Sequence, residues 1–371
     1  MLTLPEKIRR ILEKVVNEMI AEENVYGVGL FGSWSRGDAS ASSDVDLLIL
    51  DGAEFAYEFV ERRETGGLFI DLDHIPKKWL HSLIPPEVDQ KLYEMQILYD
   101  RDWSLANAKL LMAKFYSSPD RVDIRTESHI VDSDIYLSRA TSALSKGDFQ
   151  SASIFAITAL ESILKVLVEI ALEPFSNSGV VAKFGNSAAK LDVKEVFKEY
   201  MHITALNTVD GAKVQEKLKL YKAIWEEICA VVRQNFQALE NAHFRVKTKL
   251  RYYLNLAFLQ GFVARVKSLI DSGRAADASR YLDTTLIDLV ENYAWFKAST
   301  TKTKIDCTTL MRSFKSLEGK NPKNYNNVIK FLNLKDVDEK AAKEKIERTR
   351  QVMLKIRGER KVLIKNHLLK R

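Results

Sequence analysis

One window of the chain gathers residue types that handle phosphate and divalent metal: Gly32-Ser33-Trp34-Ser35-Arg36-Gly37, then six residues, then Asp44-Val45-Asp46, and later Ile70-Asp71-Leu72-Asp73. A strand that feeds Gly-Ser into a helix start puts backbone N–H groups and a hydroxyl in one place, which is how a chain cradles phosphate oxygens. Asp44 and Asp46 are two apart on a predicted strand, so their carboxylates project from one face and can grip divalent metal between them. Val45, Leu47 and Ile49 fill the opposite face. Asp71 and Asp73 share a face of a later strand in the same way. Three carboxylates on adjacent strands suit a two-metal phosphoryl-transfer centre. The frame Gly-Ser-x3-Gly-x6-Asp-x-Asp arises by chance with a probability on the order of 10⁻⁶ per start position, so coincidence explains it poorly.

The hydrophobic period outlines the elements that must hold these residues. Residues 5–21 place Ile8, Ile11, Leu12, Val15, Met19 and Ile20 at helical spacing, with Thr3 as N-cap and Pro5 in the first turn. Residues 25–31 read as a buried strand that ends at Gly32-Ser33, 45–50 as a second strand, and 53–63 as a connecting helix. Residues 68–75 read as a third strand closed by Pro76, and 95–99 as a fourth apolar segment. Beyond residue 104, helical segments follow one another: 104–117, 126–146, 148–172, 211–240, 243–272, 277–297 and 337–369. Gly147-Asp148 is a helix stop followed by an N-cap, which predicts an antiparallel helix pair. Residues 174–189 and 299–325 read as loops. The expected fold class is α+β, a small mixed-sheet head followed by a large all-helical region. The expected domains are 1–103, 104–275 and 276–371, the last ending in a basic helix.

Composition narrows the class. The 371 residues are 46% hydrophobic and 29% charged, enough apolar material for more than one core. Two cysteines, Cys229 and Cys307, rule out a disulfide framework or a cysteine zinc cluster and suit a reducing cytoplasm. Met1 is followed by an amphipathic stretch rather than a secretory signal. Residues 152–172 have the length of a membrane span, but Glu161, Lys165 and Glu169 fall at i, i+4 and i+8 and stack on one stripe, which reads as a buried helix of a soluble bundle. No membrane contact is expected. The net charge of +6 (56 basic minus 50 acidic) is uneven. Residues 341–371 hold eleven Lys/Arg and three Asp/Glu, a net of +8, and the remaining 45 basic and 47 acidic residues sum to −2. Any polyanion contact is therefore expected on that last helix, where Ile346, Met353, Ile356 and Leu363 make a thin apolar stripe. Lys302, Lys304, Arg312, Lys315, Lys320 and Lys323 form a second basic cluster.

Residues 25–102 resemble the nucleotidyltransferase superfamily of DNA polymerase β, especially its small-substrate and stand-alone members. The resemblance rests on Gly32-Ser33, Arg36-Gly37, Ser43-Asp44-Val45-Asp46-Leu47 and Ile70-Asp71-Leu72. It implies Asp44 and Asp46 as ligands of two Mg²⁺ ions, or Mn²⁺ in their place, with Asp71 as the third carboxylate that helps activate an attacking hydroxyl. Asp71 fits that place better than Asp73, because it follows an apolar residue in an Ile-Asp-Leu frame, and Asp73 stays the alternative. Gly32, Ser33, Arg36, Gly37 and Ser43 are the implied nucleotide-binding residues. Arg36 has a second reading as a partner of Asp38. Lys77, Lys78 and Arg101 are further candidates for triphosphate contact, and His74 points to the other face of its strand. The implied reaction moves a nucleoside monophosphate from an NTP, ATP at the family level, to an acceptor hydroxyl with release of pyrophosphate. A small aminoglycoside-like acceptor is expected first, tRNA or a partner protein as in toxin-type members second, and a non-catalytic NTP-binding scaffold third. Oligomeric state stays open, a homodimer included. Residues 140–168 resemble the helical HEPN-type modules and the helical half of kanamycin-type nucleotidyltransferases. The Arg-His spacing of HEPN nucleases occurs only at Arg360 and His367, away from the expected helix, so no RNase activity is expected.

Overall fold

The structure is a computed structural model that describes residues 4–40, 43–81, 83–319 and 322–369. Thr3, Lys320 and the last two basic residues of the chain lie outside the described residues. The chain divides into two compact units, one of Met1–Ser118 with His243–Arg265 and one of Pro119–Ala242 with Val266–Arg371.

The first unit is α+β. Helix α1 (Glu6–Ile20) starts after Pro5 and buries Ile8, Leu12, Val15, Val16 and Met19. Then come β1 (Val25–Phe31), the short α2 (Gly32–Arg36), β2 (Val45–Asp51), β3 (Phe59–Thr65), β4 (Leu68–Pro76), α3 (Asp89–Glu94), β5 (Gln96–Asp100) and α4 (Ser104–Phe115). The five strands form one sheet in the order β3-β4-β2-β1-β5, with β2 and β4 parallel and the other neighbours antiparallel. Both faces are covered, so β2 is apolar nearly throughout. Val45, Leu47, Ile49, Ile70 and Leu72 join the α1 core, whereas Leu48, Leu50 and Ile75 cluster with Val88, Leu92, Met95 and Leu105.

Residues 53–63 do not form the expected connecting helix. Phe59–Thr65 is strand β3, an antiparallel partner of β4 through the Gly66-Gly67 turn. The run Phe-Val-Glu-Arg-Arg-Glu-Thr followed by Gly-Gly is a hairpin pattern, and the pairing it gains from β4 outweighs the helix propensity of its charged residues. The first unit also contains α11 (Phe244–Tyr253, numbered by its place in the chain) and residues Leu256–Arg265 of α12 (Leu256–Asp271). The expected single helix over 243–272 breaks at Leu254-Asn255, where the Asn255 side chain caps the Ala257 N–H.

The remaining helices are α5 (Pro119–Ser145), α6 (Phe149–Ile170), α7 (Val180–Lys190), α8 (Lys194–Ile203), α9 (Gly211–Gln234), α10 (Phe236–Glu240), α13 (Ala275–Thr301), α14 (Leu310–Glu318), α15 (Lys323–Phe331) and α16 (Glu339–Leu368). Two expected loops are therefore largely helical. In α7 the buried residues Val180, Val181, Phe184 and Ala188 recur at helical spacing among Ser, Asn and Gly, so burial overrides weak local propensity. The α5–α6 pair forms as its sequence predicts, with Asp148 accepting from the Ser151 N–H at the start of α6.

Helix α6 is long and apolar enough to cross a membrane, but 83% of its most apolar window is buried inside the protein. Its charged stripe faces protein partners, not water. Glu161 accepts from Arg280 Nη2 at 2.7 Å and from the Tyr200 hydroxyl at 2.8 Å, and Glu169 accepts from Arg125 Nε at 2.6 Å.

Candidate active site

The parallel register of β2 and β4 sets Asp46 opposite Asp71 and Leu48 opposite Asp73. That register brings Asp44, Asp46 and Asp71 together: one carboxylate oxygen from each lies within 4.8 Å of the others. Asp73 shares their face of the sheet but sits one pleat further along, where Lys91 donates to it at 2.5 Å and to Glu58 at 2.9 Å. His74 lies on the opposite face, stacked on Phe59 and 3.2 Å from Asp51 Oδ2.

Three carboxylates this close repel one another. Burial, and then the neighbouring Asp44 and Asp71, hold the Asp46 carboxyl well above its ordinary pKa. Burial also raises Asp71, against the pull of the Arg62 guanidinium. A cluster of hard, crowded oxygen donors is what a divalent cation relieves.

Arginine supplies the positive charge within the protein. Arg62 of β3 donates from Nε and Nη2 to the two oxygens of Asp71 at 2.6 and 2.5 Å, and from Nη2 to Asp44 Oδ2 at 2.6 Å. Its guanidinium lies 5.5 Å from the Tyr252 ring centre and 5.6 Å from that of Phe258, and Tyr252 also donates its hydroxyl to Asp71 at 3.2 Å. Gly261 of α12 leaves room for this arrangement, since a Cβ there would come 2.9 Å from Arg62 Nη1. Arg265 of α12 donates to Asp44 Oδ1 at 2.9 Å and reaches Ser43 Oγ at 3.4 Å.

The sequence match covers the three aspartates and Arg62 but not Tyr252 or Arg265: residues 10–135 fit the family model of the nucleotidyltransferase domain. This region is a nucleotidyltransferase domain. Among curated proteins no sequence matches the chain. Among solved structures, a nucleotidyltransferase-like protein from Exiguobacterium sibiricum 255-15 is similar over 53% of this chain and 67% of that one, with 14% identity and a TM-score of 0.33.

In the nucleotidyltransferase domain, the expected phosphate loop is closely bonded to α3. Gly32 takes φ +73°, and a Cβ there would overlap the Asp46 carboxylate, so glycine is needed for both conformation and space. The Gly32 N–H donates to Glu94 Oε1 at 2.8 Å, and Arg36 Nη1 donates to Glu94 Oε2 at 2.8 Å. Arg36 thus holds Glu94 as well as Asp38, the latter as its second sequence reading has it. Gly37 ends α2 in the left-handed region. Of the basic residues considered for triphosphate contact, Lys77 pairs with Asp102, and Arg101 donates to the Glu23 carbonyl.

Arg62, Glu94, Tyr252 and Arg265 are the site residues that sequence reasoning missed. Arg62 falls inside the expected helix over 53–63, and the Gly66-Gly67 turn that follows its strand is the available signal. Tyr252 and Arg265 join aspartates 181 and 221 residues away in the chain, and no local pattern marks such a pairing.

Proposed function

We propose that this protein catalyses a divalent-metal-dependent transfer of a nucleoside monophosphate, AMP in the first instance, from an NTP to the hydroxyl of a small acceptor, with release of pyrophosphate. The observation that carries the reading is the convergence of Asp44, Asp46 and Asp71 within a nucleotidyltransferase domain. The donor set fits the metal: Asp46 and Asp71 on two hydrogen-bonded strands and Asp44 immediately before β2, with Asp46 destabilised as an anion by the other two. Asp44 and Asp46 would hold the ions, and Asp71, oriented by Arg62 and Tyr252, would complete the set and accept the acceptor's proton. The bound ions supply electrostatic stabilisation to the phosphoryl group in transfer. The chain's task is otherwise positioning: β2 and β4 present the carboxylates from a rigid sheet, and Ser33, Ser43 and Gly37 flank the approach of the triphosphate.

A small acceptor is favoured over RNA because the basic excess of α16 is largely neutralised within its own unit. Arg348 pairs with Glu199, Lys355 with Glu195, Arg357 with Asp134, and Arg360 with Glu127, each at 2.5 to 2.6 Å. The decisive experiment incubates the full chain with each α-labelled NTP, Mg²⁺ and cell extract, then separates small molecules, RNA and protein. Label in the small-molecule fraction that disappears in Asp44→Ala/Asp46→Ala supports the proposal. Equal labelling by the double variant refutes it, and label on RNA or protein transfers the acceptor assignment to that class.

A further inference from the structure

Both oxygens of Asp44 are engaged by guanidinium groups, Oδ1 by Arg265 and Oδ2 by Arg62. A divalent ion coordinated by Asp44 would meet two fixed positive charges at contact distance, so at least one guanidinium must leave before the ion can bind well. The two arginines are not equally free to go. Arg62 is 3% exposed along its side chain, makes three hydrogen bonds to Asp71 and Asp44, and is flanked by the Tyr252 and Phe258 rings. Arg265 is 19% exposed and is held by one bond of 2.9 Å to Asp44 and one of 3.4 Å to the Ser43 hydroxyl.

We propose that Arg265 is an exchangeable counter-cation: it neutralises Asp44 until a divalent ion replaces it, and the released guanidinium then binds the phosphates of the incoming nucleotide. The proposal rests on the nucleotidyl-transfer reading and adds to it a coupling between its two ligands. Metal alone must compete with Arg265 for Asp44. Nucleotide alone finds that guanidinium already engaged. Together each removes the obstacle to the other, because the triphosphate gives Arg265 a new anionic partner and Asp44 passes to the ion. Arg62 stays in place and keeps Asp71 oriented throughout. Arg265 is in this sense a positioning residue whose effect appears in binding.

The test measures Mn²⁺ binding to the full chain by the paramagnetic resonance of free Mn²⁺, with and without a non-hydrolysable NTP analogue, in wild type, Arg265→Gln and Asp44→Asn. Arg265→Gln is expected to bind Mn²⁺ alone about tenfold more tightly than wild type, and to lose most of the gain that the analogue produces in wild type. Arg265→Lys, which keeps the charge but shortens the reach to Asp44, is expected to fall between them and serves if the glutamine variant does not fold. Asp44-dependent Mn²⁺ binding of equal or lower affinity in the folded Arg265 variants overturns the exchange and leaves the transfer reading standing. An absence of Asp44-dependent Mn²⁺ binding in every form overturns both.

Discussion

Arg62 and Asp71 face each other across the β3–β4 register and share a two-pronged ion pair, from Nε to Oδ1 and from Nη2 to Oδ2. Both residues are buried, and the same guanidinium extends to Asp44, so one cation ties β3 and β4 to the residue that precedes β2. The pair gives the acidic cluster a fixed edge: Asp71 cannot rotate away from Asp46 without breaking bonds in a low-dielectric setting.

Loss of that cation leaves two carboxylates without their main counter-charge. Arg62→Ala is expected to cost about 3–5 kcal/mol, read from urea unfolding of the full chain. Arg62→Lys keeps charge but loses the fork and is expected to cost less. A loss below about 1 kcal/mol for the alanine variant would mean that the pair contributes little to the fold.

At Asp46, stability and chemistry are expected to oppose each other. Its carboxyl is raised by burial and by Asp44 and Asp71. A raised carboxyl favours the folded state at low pH and costs stability once pH climbs toward the folded value. Asp46→Asn is therefore expected to stabilise the protein near neutral pH, read as a rise in Tm. Transfer is expected to drop about 10³-fold, as loss of several kcal/mol of metal-borne stabilisation implies. A lowered Tm would contradict the repulsion account.

Asp71 and Asp73 are separable by mutation. Asp73 is the partner of Lys91, so Asp73→Asn is expected to lower Tm while leaving kcat within about tenfold at a temperature where the protein stays folded. Asp71→Asn is expected to lower kcat about 10³-fold. Paired kcat and melting measurements decide; equal losses of kcat in both folded variants would place Asp73 in the reacting set as well.

The helical unit is expected to weaken in acid through Glu169. Burial alone would push this carboxyl up, but the contacts of His129 and Arg125 bring it below its ordinary value of 4.5. A lowered carboxyl contributes stability that is complete above the unfolded value and is lost as pH falls through the folded one. Glu169→Gln should therefore cost stability at pH 7 and flatten the acid limb below about pH 4.5. Denaturation midpoints from pH 7 to pH 2 measure this, and parallel curves for variant and wild type would exclude it.

Helix α16 is expected to behave as core, not as an appendage. Ile346, Val352, Met353, Ile356 and Ile364 are buried with α5 and α6 residues such as Ile130, Ile163 and Leu167. A chain ending at residue 338 is expected to lose cooperative unfolding of the helical unit, followed by circular dichroism. Arg357→Glu, which reverses an exposed pair with Asp134, is expected to cost about 1 kcal/mol or less. A truncated chain that melts like wild type would show the helix to be dispensable.

Much of the head could be read from local pattern. The short apolar runs Val45–Asp51 and Leu68–Pro76, and the short frame from Gly32 to Asp46, depend on neighbours a few residues apart, so sequence by itself determined the two acidic strands and the residues on their shared face. It also determined the Asp148 cap and the apolar helix α6, where period and capping residue agree. Strand β3, whose charged residues also suit a helix, and helices α7 and α14, set among Gly, Ser, Asn and Thr, were hard to read, because their burial is decided elsewhere in the fold. Only the tertiary structure sets Asp71 beside Asp46 and Asp73 one pleat further along, through the register of β2 and β4. Only it revealed Arg62 and Arg265 as the charges that face the cluster, and the carboxylates of α5 and α8 as partners of the basic last helix. The reason is physical: a carboxylate's effective charge and an arginine's partner depend on distances of a few ångströms between strands and helices far apart in the chain. Those distances exist only once the sheet has paired and the helices have packed.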